Sequence, residues 1–340
     1  MDTLQSQFIK FHDTIKLDAD DKKVLIDKRK EVEEAINKGV SEFEKSFFNQ
    51  GSYSTFTGIL PLEDGDYDLD RGLRFEIDRN SNTPKEIKKI IFNTLVSKFG
   101  ENNVKVKNPC VTVSFPKDNV HIDIAVYCIE NDNYFLARGK LNSKEENIKW
   151  EEADPVELTE KINNAMENSE DRNQFRRVIR YLKRWKDIKF KNQDNKPTGI
   201  GISVFAVNNF SVSKKVDYLS GNATYDDISA LRNLVNTMIN SFSDTYDVDR
   251  NLFYPRLEVS LPVKPYTDVY ERVSNIQMEA FKNKLEKLRD SLDEAIDSTD
   301  LSDSTKILSK QFGDDFPIIE QKETAENFGT RAIISDYPSA

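Results

Sequence analysis

The strongest constraint on this chain is a pair of acids on a single strand. Asp68 and Asp70 lie in residues 51–77, which begin with a Gly-Ser pair and continue as an alternating apolar segment. Side chains two residues apart on a strand project from the same face, so the two carboxylates share one side of a sheet. Paired carboxylates on a rigid face suit Mg²⁺, which takes oxygen ligands and keeps waters for a phosphorylated substrate. The pair alone also fits a solvated turn, because chance D-x-D sequences are common in an acidic chain.

A third acid strengthens the metal interpretation. Asp123 lies in an apolar run of residues 120–127, where a carboxylate is costly unless it is paired or liganded. Three acids on two strands predict a two-metal phosphoryl-transfer site that holds two Mg²⁺ ions, with Mn²⁺ as the alternative. Gly51 and Ser52 offer backbone N–H groups and a hydroxyl that suit phosphate oxygens.

A second, overlapping acid pair leaves open which two acids form the metal site. Asp66 and Asp68 form another D-x-D closer to the Gly-Ser pair. We favour Asp68 and Asp70, because Leu69 lies between them and residues 72–77 continue the strand.

Taken together, these motifs resemble a known superfamily. The resemblance is carried by Gly51-Ser52, the three acids, the basic segment of residues 176–186 and residues 196–200. In this order they are similar to the DNA polymerase β-type nucleotidyltransferases and, within them, to the bacterial cGAS/DncV-like nucleotidyltransferases (CD-NTases). The similarity extends from about residue 20 to about residue 317.

The resemblance implies a fold and a domain layout. It implies an α+β fold, with a polymerase β-like nucleotidyltransferase core of mixed sheet and helices, a helical lobe and a long N-terminal spine helix. The core with its spine helix occupies residues 1–153, the helical lobe residues 154–317, and a flexible tail residues 318–340.

The resemblance also implies roles for individual residues. Lys183 corresponds to a helix lysine that holds the nucleoside triphosphate in the family. Thr198 is a nucleotide ligand, although Gly199 stands where relatives often carry a serine. Asp68 and Asp70 hold both metal ions, and Asp123 ligates the ion nearer the attacking hydroxyl and is able to accept its proton.

Periodicity predicts the remaining elements. An amphipathic pattern predicts one helix from Asp18 to Phe48, and residues 1–17 are weakly patterned. Residues 130–153 read as a polar connection with a short hairpin near 134–139. The basic face of residues 176–184 is, in most proteins, simply solvated. Further helices are predicted at 84–99, from 154, 203–210, 224–242, 269–296 and 301–312, and strands at 104–107, 111–115 and 120–129.

Composition limits the partners and the compartment. The 340 residues carry a formal net charge of −10, which disfavours long DNA or RNA and favours nucleoside triphosphates as ligands. No apolar run reaches the length of a membrane span, so we expect a cytoplasmic protein without membrane contact. Cys110 and Cys128 lie in apolar segments and are expected to be buried and reduced.

The resemblance implies an activity and leaves alternatives. The leading hypothesis is a synthase of a cyclic di- or trinucleotide second messenger that acts in bacterial antiphage (CBASS) signalling and releases pyrophosphate. The alternatives are template-independent nucleotide addition to RNA or protein, and a nucleotide-binding sensor without turnover. Some relatives have their C-terminus joined to other molecules, so a CBASS-operon partner acting on the tail is compatible with the sequence.

Overall fold

The computed structural model describes residues 3–63, 65–191, 193 and 196–320. The helices are α1 Leu4–Ile15, α2 Ala19–Gly39, α3 Gly51–Ser54, α4 Pro84–Phe99, α5 Pro155–Asn163, α6 Ser169–Lys189, α7 Gly199–Asn209, α8 Asp227–Asn240, α9 Asn275–Asp297 and α10 Leu301–Phe312. The strands are β1 Lys45–Asn49, β2 Tyr67–Glu76, β3 Val104–Val106, β4 Cys110–Phe115, β5 Val120–Glu130, β6 Asn133–Arg138, β7 Lys149–Ala153, β8 Lys214–Val216, β9 Ala223–Tyr225, β10 Ser243–Asp247 and β11 Leu252–Arg256.

A mixed sheet organises the first half of the chain. Its order is β1-β2-β5-β4-β3, and β6 and β7 extend it along β5. Strands β2 and β5 run parallel, whereas the other neighbours are antiparallel. The α+β fold class expected from the sequence, with a mixed sheet and a helical part, is confirmed. The parallel pair is what places the acids of β2 beside that of β5.

Local signals define helix α4 as predicted. Thr83 and Glu86 form a capping box, Pro84 occupies the first turn, and Gly100 ends the helix with a φ of 84°. Proline at the start and glycine after the end are the expected asymmetry, since both fit the backbone geometry there. The apolar stripe, which includes Ile87 and Ile91, is buried against the sheet.

The prediction of one helix from Asp18 to Phe48 was wrong beyond residue 39. Asp18 caps α2 as expected, but the helix ends at Gly39 and residues 45–49 form edge strand β1. Phe47 lies opposite Leu73 of β2. Aromatic residues at three- and four-residue spacing fit a helix and a strand equally, and here the backbone hydrogen bonds of β2 decide for the strand.

Helix α1 lies in the weakly patterned residues 1–17 and was not predicted. Phe8 and Phe11 have no exposed surface, and their rings contact Tyr181 of α6 and Phe312 of α10. A single short apolar stripe carries little sequence signal, and the burial comes from helices far along the chain. The segment 130–153 likewise contains two sheet strands, β6 and β7, rather than only a polar connection with a short hairpin.

Within the described residues, the buried apolar side chains form two large clusters. One is formed by the sheet with α2 and α4, and the other by α1 with the helices that follow residue 154. The domain limits stay predictions, and residues 321–340 of the proposed tail lie outside the described residues.

Some element boundaries differ from the prediction. Helices α7, α8 and α9 begin at Gly199, Asp227 and Asn275 rather than at 203, 224 and 269. The hairpins β8–β9 and β10–β11 were not predicted.

Two expectations from composition can be compared with the structure. Cys110 and Cys128 are buried free thiols, as predicted. None of the helices in the described ranges combines the length and apolarity that crossing a bilayer requires.

Candidate active site

Strands β2 and β5 bring the three predicted acids into one place. Asp68 and Asp70 lie on β2, and Asp70 is the register partner of Asp123 on the parallel strand β5. Asp68 is paired in the same register with His121. The alternation of side chains along both strands therefore puts the three carboxylates on one face of the sheet.

The two carboxylates of β2 lie close to other negative charges. Desolvation, followed by repulsion from Asp123 and Asp68, raises the pKa of Asp70 to about 7. The pKa of Asp68 is also raised, mainly by desolvation and then by Asp123. Within the described part of the chain, neither carboxylate has a hydrogen bond or an ion pair. A cation at this face would relieve the repulsion.

Asp123 is held differently, by direct contacts. Thr112 of the neighbouring strand β4 donates a hydrogen bond of 2.5 Å to Asp123 Oδ1. The ammonium group of Lys107, just after β3, lies 3.3 and 3.2 Å from the two oxygens of Asp123. The third acid thus has a hydroxyl donor and an internal counter-ion.

The donor set fits divalent cations by its chemistry. Three carboxylates supply the oxygen ligands that Mg²⁺ and Mn²⁺ accept. Among the residues that the structure describes, no three His, Cys, Asp or Glu side chains already converge as a ligand set. In this structure the oxygens of Asp123 contact Lys107 and Thr112.

The Gly-Ser pair forms the start of the short helix α3 beside the acids. Gly51 has a φ of 70°, and a Cβ atom at this position would overlap the carboxylate of Asp70. Glycine is therefore needed for two reasons, the positive φ and the close approach of Asp70. Beneath it, the hydroxyl of Tyr127 donates to Gln50 at 3.0 Å.

An open cleft of about 1050 Å³ joins the two halves of the chain. Ser52, Asp68 and Asp70 line its sheet side, and Lys183 and Ser203 line its helical side. Its volume is slightly above the usual range for ligand pockets, about 300–1,000 Å³. The cleft is large enough for more than one small ligand.

Lys183 reaches the cleft but is partly committed to a loop. It is 8% exposed, and its ammonium donates to the carbonyl of Thr57 at 3.1 Å and to the Thr57 hydroxyl at 2.9 Å. Burial, followed by repulsion from Lys186 and Arg180, lowers the pKa of Lys183 to about 7. Two of its three N–H donors are occupied, so one is left for a ligand in the cleft.

The basic face of α6 is not solvated, contrary to the usual expectation. Arg180 donates to the carbonyls of Phe56 and Gly58, and Arg184 donates to the carbonyl of Leu60. With Lys183, these side chains fasten residues 56–60 to α6. We call this set of contacts the α6 clamp. It connects the loop after α3 to the helical part of the chain.

Thr198 serves as the cap of α7. Its hydroxyl accepts a hydrogen bond from the backbone N–H of Gly201 at 3.2 Å, and its neighbours Gly199 and Ile200 line the cleft. The structure leaves its role in nucleotide binding a prediction. Ser203, expected only as a helix residue, lies in α7 and also lines the cleft.

Asp66, the first acid of the alternative Asp66/Asp68 pair, lies beside a histidine instead of another acid. Asp66 lies 3.1 Å from Nε2 of His121, whereas Asp70 lies beside Asp123. Sequence reasoning missed His121, Lys107 and Thr112 as members of the site. Their positions depend on strand pairing, for which the sequence carries no direct signal.

The segment that contains the three acids is similar to a known protein family. Residues 45–127, which include all three acids, match the family described as the nucleotidyltransferase domain of DncV-like cyclic GMP-AMP synthases. Residues 45–127 are therefore similar to a DncV-like nucleotidyltransferase domain. The recognition made from the sequence motifs is confirmed.

A curated relative and two solved structures extend the comparison beyond residues 45–127. A cyclic GMP-AMP synthase of Escherichia albertii is 28% identical over 171 residues, which is 48% of this chain and only 35% of that protein. CdnG of Bradyrhizobium diazoefficiens, solved with GTP, has a TM-score of 0.69 at 14% identity and covers 92% of this chain and 96% of its own. Vibrio cholerae DncV with nonhydrolyzable GTP has a TM-score of 0.60 at 20% identity, covering 81% and 70%. The structural likenesses show that the nucleotidyltransferase fold extends over most of the chain.

Proposed function

We propose that this protein is a cyclic oligonucleotide synthase that joins ribonucleoside triphosphates into a cyclic di- or trinucleotide and releases pyrophosphate. One observation carries the proposal. Asp70 and Asp123 are register partners beside Asp68, on the face of a DncV-like nucleotidyltransferase domain that lines a two-sided cleft.

Asp68, Asp70 and Asp123 would hold the two Mg²⁺ ions, or Mn²⁺ in their place. Such ions, when bound, activate a nucleotide hydroxyl and neutralise charge on the triphosphate and the leaving pyrophosphate. Asp123 would also accept the hydroxyl proton. Its Oδ1 accepts from Thr112 and Lys107, whereas its Oδ2 contacts Lys107, so Oδ2 is the less occupied oxygen.

The phosphates would lie between α3 and α6. The hydroxyl of Ser52 and the backbone N–H groups at the start of α3 face the cleft and can donate to phosphate oxygens. On the opposite wall, the ammonium group of Lys183 has one N–H left to donate and adds its positive charge. The relatives DncV and CdnG were solved with GTP or its analogue, which supports nucleoside triphosphates as the ligands.

The cleft volume supports synthesis of a bond between two nucleotides. A space of about 1050 Å³ lies just above the usual range for a ligand pocket, about 300–1,000 Å³. A DncV structure with a linear pppApG intermediate is also a structural neighbour. We therefore place a donor and an acceptor nucleotide in the same cleft, and we assign the cyclic product to bacterial antiphage signalling in the cytoplasm.

The test is product formation by the purified protein. It is incubated with Mg²⁺ and all four labelled ribonucleoside triphosphates, treated with phosphatase and analysed by mass spectrometry. A phosphatase-resistant cyclic product that disappears in Asp68→Asn and persists in Asp66→Asn is the expected result. A linear product or a labelled acceptor would support terminal transfer instead, and nucleotide binding without pyrophosphate release would support a sensor.

The biological assignment needs a separate test. Cells carrying the intact operon are challenged with phage beside cells that carry the Asp68→Asn variant. Protection that depends on Asp68 is expected. Equal plaque numbers in both strains, with a cyclic product formed in vitro, would contradict the antiphage role and leave the chemistry standing.

A further inference from the structure

Lys107 lies where positive charge is needed at the acidic face. Its ammonium contacts both oxygens of Asp123, at 3.3 and 3.2 Å. In the described part of the chain, this is the one ion pair that any of the three acids Asp68, Asp70 and Asp123 forms. The cation also attracts Asp68 and Asp70 electrostatically. Lys107 is therefore the direct counter-ion of Asp123.

The backbone of Lys107 is hydrogen-bonded, whereas its side chain is partly exposed to solvent. The buried ammonium of Lys88, 1% exposed, donates to the carbonyls of Lys107, Asn108 and Gly139 at 3.1, 2.7 and 2.8 Å. The side chain of Lys107 is by contrast 45% exposed. A flexible four-carbon stem on a fixed anchor allows the ammonium to leave Asp123 for solvent without moving the strand.

An ammonium and a divalent cation compete for the same carboxylate. Both need the oxygens of Asp123, and two cations that share one carboxylate repel each other. Thr112 already occupies one direction of Oδ1. A metal ion that ligates Asp123 must therefore displace Lys107 or bind weakly beside it.

We propose that Lys107 is a displaceable counter-ion that holds Asp123 in the metal-free protein and lowers the affinity of the site for divalent cations. This inference rests on the proposed function, because it takes the three acids as the metal ligands. Lys107 is a positioning residue. Its displacement makes metal loading depend on an additional anion, such as a nucleotide triphosphate, that can compensate the ammonium.

The prediction concerns metal binding and does not require turnover. Mn²⁺ is titrated into nucleotide-free protein, and unbound Mn²⁺ is measured by electron paramagnetic resonance. Lys107→Met, which keeps the stem and removes the charge, is expected to bind Mn²⁺ about tenfold more tightly than the native protein, a typical coupling between linked sites. Lys107→Arg keeps the charge and is expected to bind as weakly as the native protein.

Lys105 provides the matched control. It lies on β3, opposite Thr112, and is exposed. Lys105→Met removes one positive charge from the same sheet edge and is expected to leave Mn²⁺ affinity within about twofold, because screened surface charges couple weakly. An equal gain in Lys105→Met and Lys107→Met would reduce the effect to net charge and overturn the proposal.

A double variant tests whether the effect passes through Asp123. In an Asp123→Asn background, Lys107→Met should no longer tighten Mn²⁺ binding, because the shared carboxylate has lost its charge. Circular dichroism of each variant confirms the fold, and Lys107→Gln replaces Lys107→Met if the latter does not fold. Unchanged or weaker Mn²⁺ binding in the neutral variant contradicts the proposal, including the case in which no variant binds Mn²⁺.

The outcomes separate this proposal from the proposed function. Suppose that Lys107→Met binds Mn²⁺ more tightly and the native protein forms no nucleotide product. This result would support the counter-ion role of Lys107 and contradict the synthase activity. A cyclic product from the native protein with unaltered Mn²⁺ affinity in Lys107→Met would do the reverse.

Discussion

Gly51 leaves room for the carboxylate of Asp70, and any side chain at position 51 would occupy the same space. The turn that offers phosphate donors and the strand that carries the acids are thus in direct contact. Neither of them can shift without disturbing the other.

Gly51→Ala is therefore expected to slow nucleotide joining about a hundredfold. The added methyl group must displace the carboxylate of Asp70. A displacement of about 1 Å at a reacting centre costs about a hundredfold in rate. The measurement is the initial rate of pyrophosphate release.

Gly221 separates this collision from backbone strain. Its φ is 71°, against 70° for Gly51, but a Cβ atom there meets nothing within 4 Å. Gly221→Ala should cost about 1 kcal/mol of stability, the usual cost of a left-handed conformation, and keep full activity. Similar loss of activity in both variants would show that strain, and not the contact with Asp70, is responsible.

The two possible acid pairs, Asp68/Asp70 and Asp66/Asp68, predict different effects of substitution on the reaction rate. Asp70→Asn should lose at least about a hundredfold in rate, because a metal ligand contributes several kcal/mol to the transition state. Asp66 pairs with His121 at a partly exposed site, and such pairs are worth about 0–1 kcal/mol. Asp66→Asn should therefore stay within about threefold of the native rate. The reverse ranking of the two variants would assign the metal site to the other pair.

Lys183→Met should weaken triphosphate binding about tenfold, the effect of losing one charge-assisted hydrogen bond. Thermal stability should change little, because the desolvation cost of the buried ammonium disappears together with its bonds to Thr57. Isothermal calorimetry with a nonhydrolysable analogue measures the affinity.

Lys189 on the same helix is the control for this charge. It bonds to the carbonyl of Lys310, outside the cleft. Lys189→Met should leave the affinity unchanged. Equal weakening in both variants would indicate a general charge effect in place of a direct contact.

His12 should make stability depend on pH. Burial, followed by repulsion from Arg180, lowers the pKa of His12 from 6.5 to about 4. Between these values the unfolded chain binds a proton that the native protein does not, so stability falls as the pH falls from about 6.5 to about 4.

His12→Gln removes the titrating group and keeps an acceptor for Arg180, which lies 3.0 Å from Nε2 of His12. Urea unfolding at about pH 7.5 and about pH 5 compares the two proteins. The native protein should lose more stability than the variant between these conditions. An equal loss would exclude His12 as the source.

A buried ion pair holds the helical part together. Asp227 has no exposed surface and accepts from Nε and Nη2 of Arg177 at 2.6 and 2.8 Å. Asp227→Asn should cost about 3–5 kcal/mol in unfolding free energy, because it leaves a buried guanidinium uncompensated. The exposed pair of Arg232 and Asp293 is the control, and Asp293→Asn should cost at most about 1 kcal/mol. Comparable losses in urea titrations would contradict the importance of burial.

Local signals account for the elements that the sequence predicted well. Helix α4 carries its own cap, its initial proline and its terminal glycine, and α10 has the predicted bounds. Helix α2 was predicted too long because the aromatic residues after Gly39 fit two periods. Helix α1 was missed because the rings that bury Phe8 and Phe11 come from α6 and α10.

The sequence by itself determined that Asp68 and Asp70 share a face, because the alternation of a strand is a property of its own backbone. It also placed a third acid in an apolar strand. Only the tertiary structure decided that Asp70 lies opposite Asp123, that Lys107 neutralises Asp123 and that Lys183 donates to Thr57. These contacts join residues far apart in the chain, and their energies depend on register and burial, which no local pattern specifies.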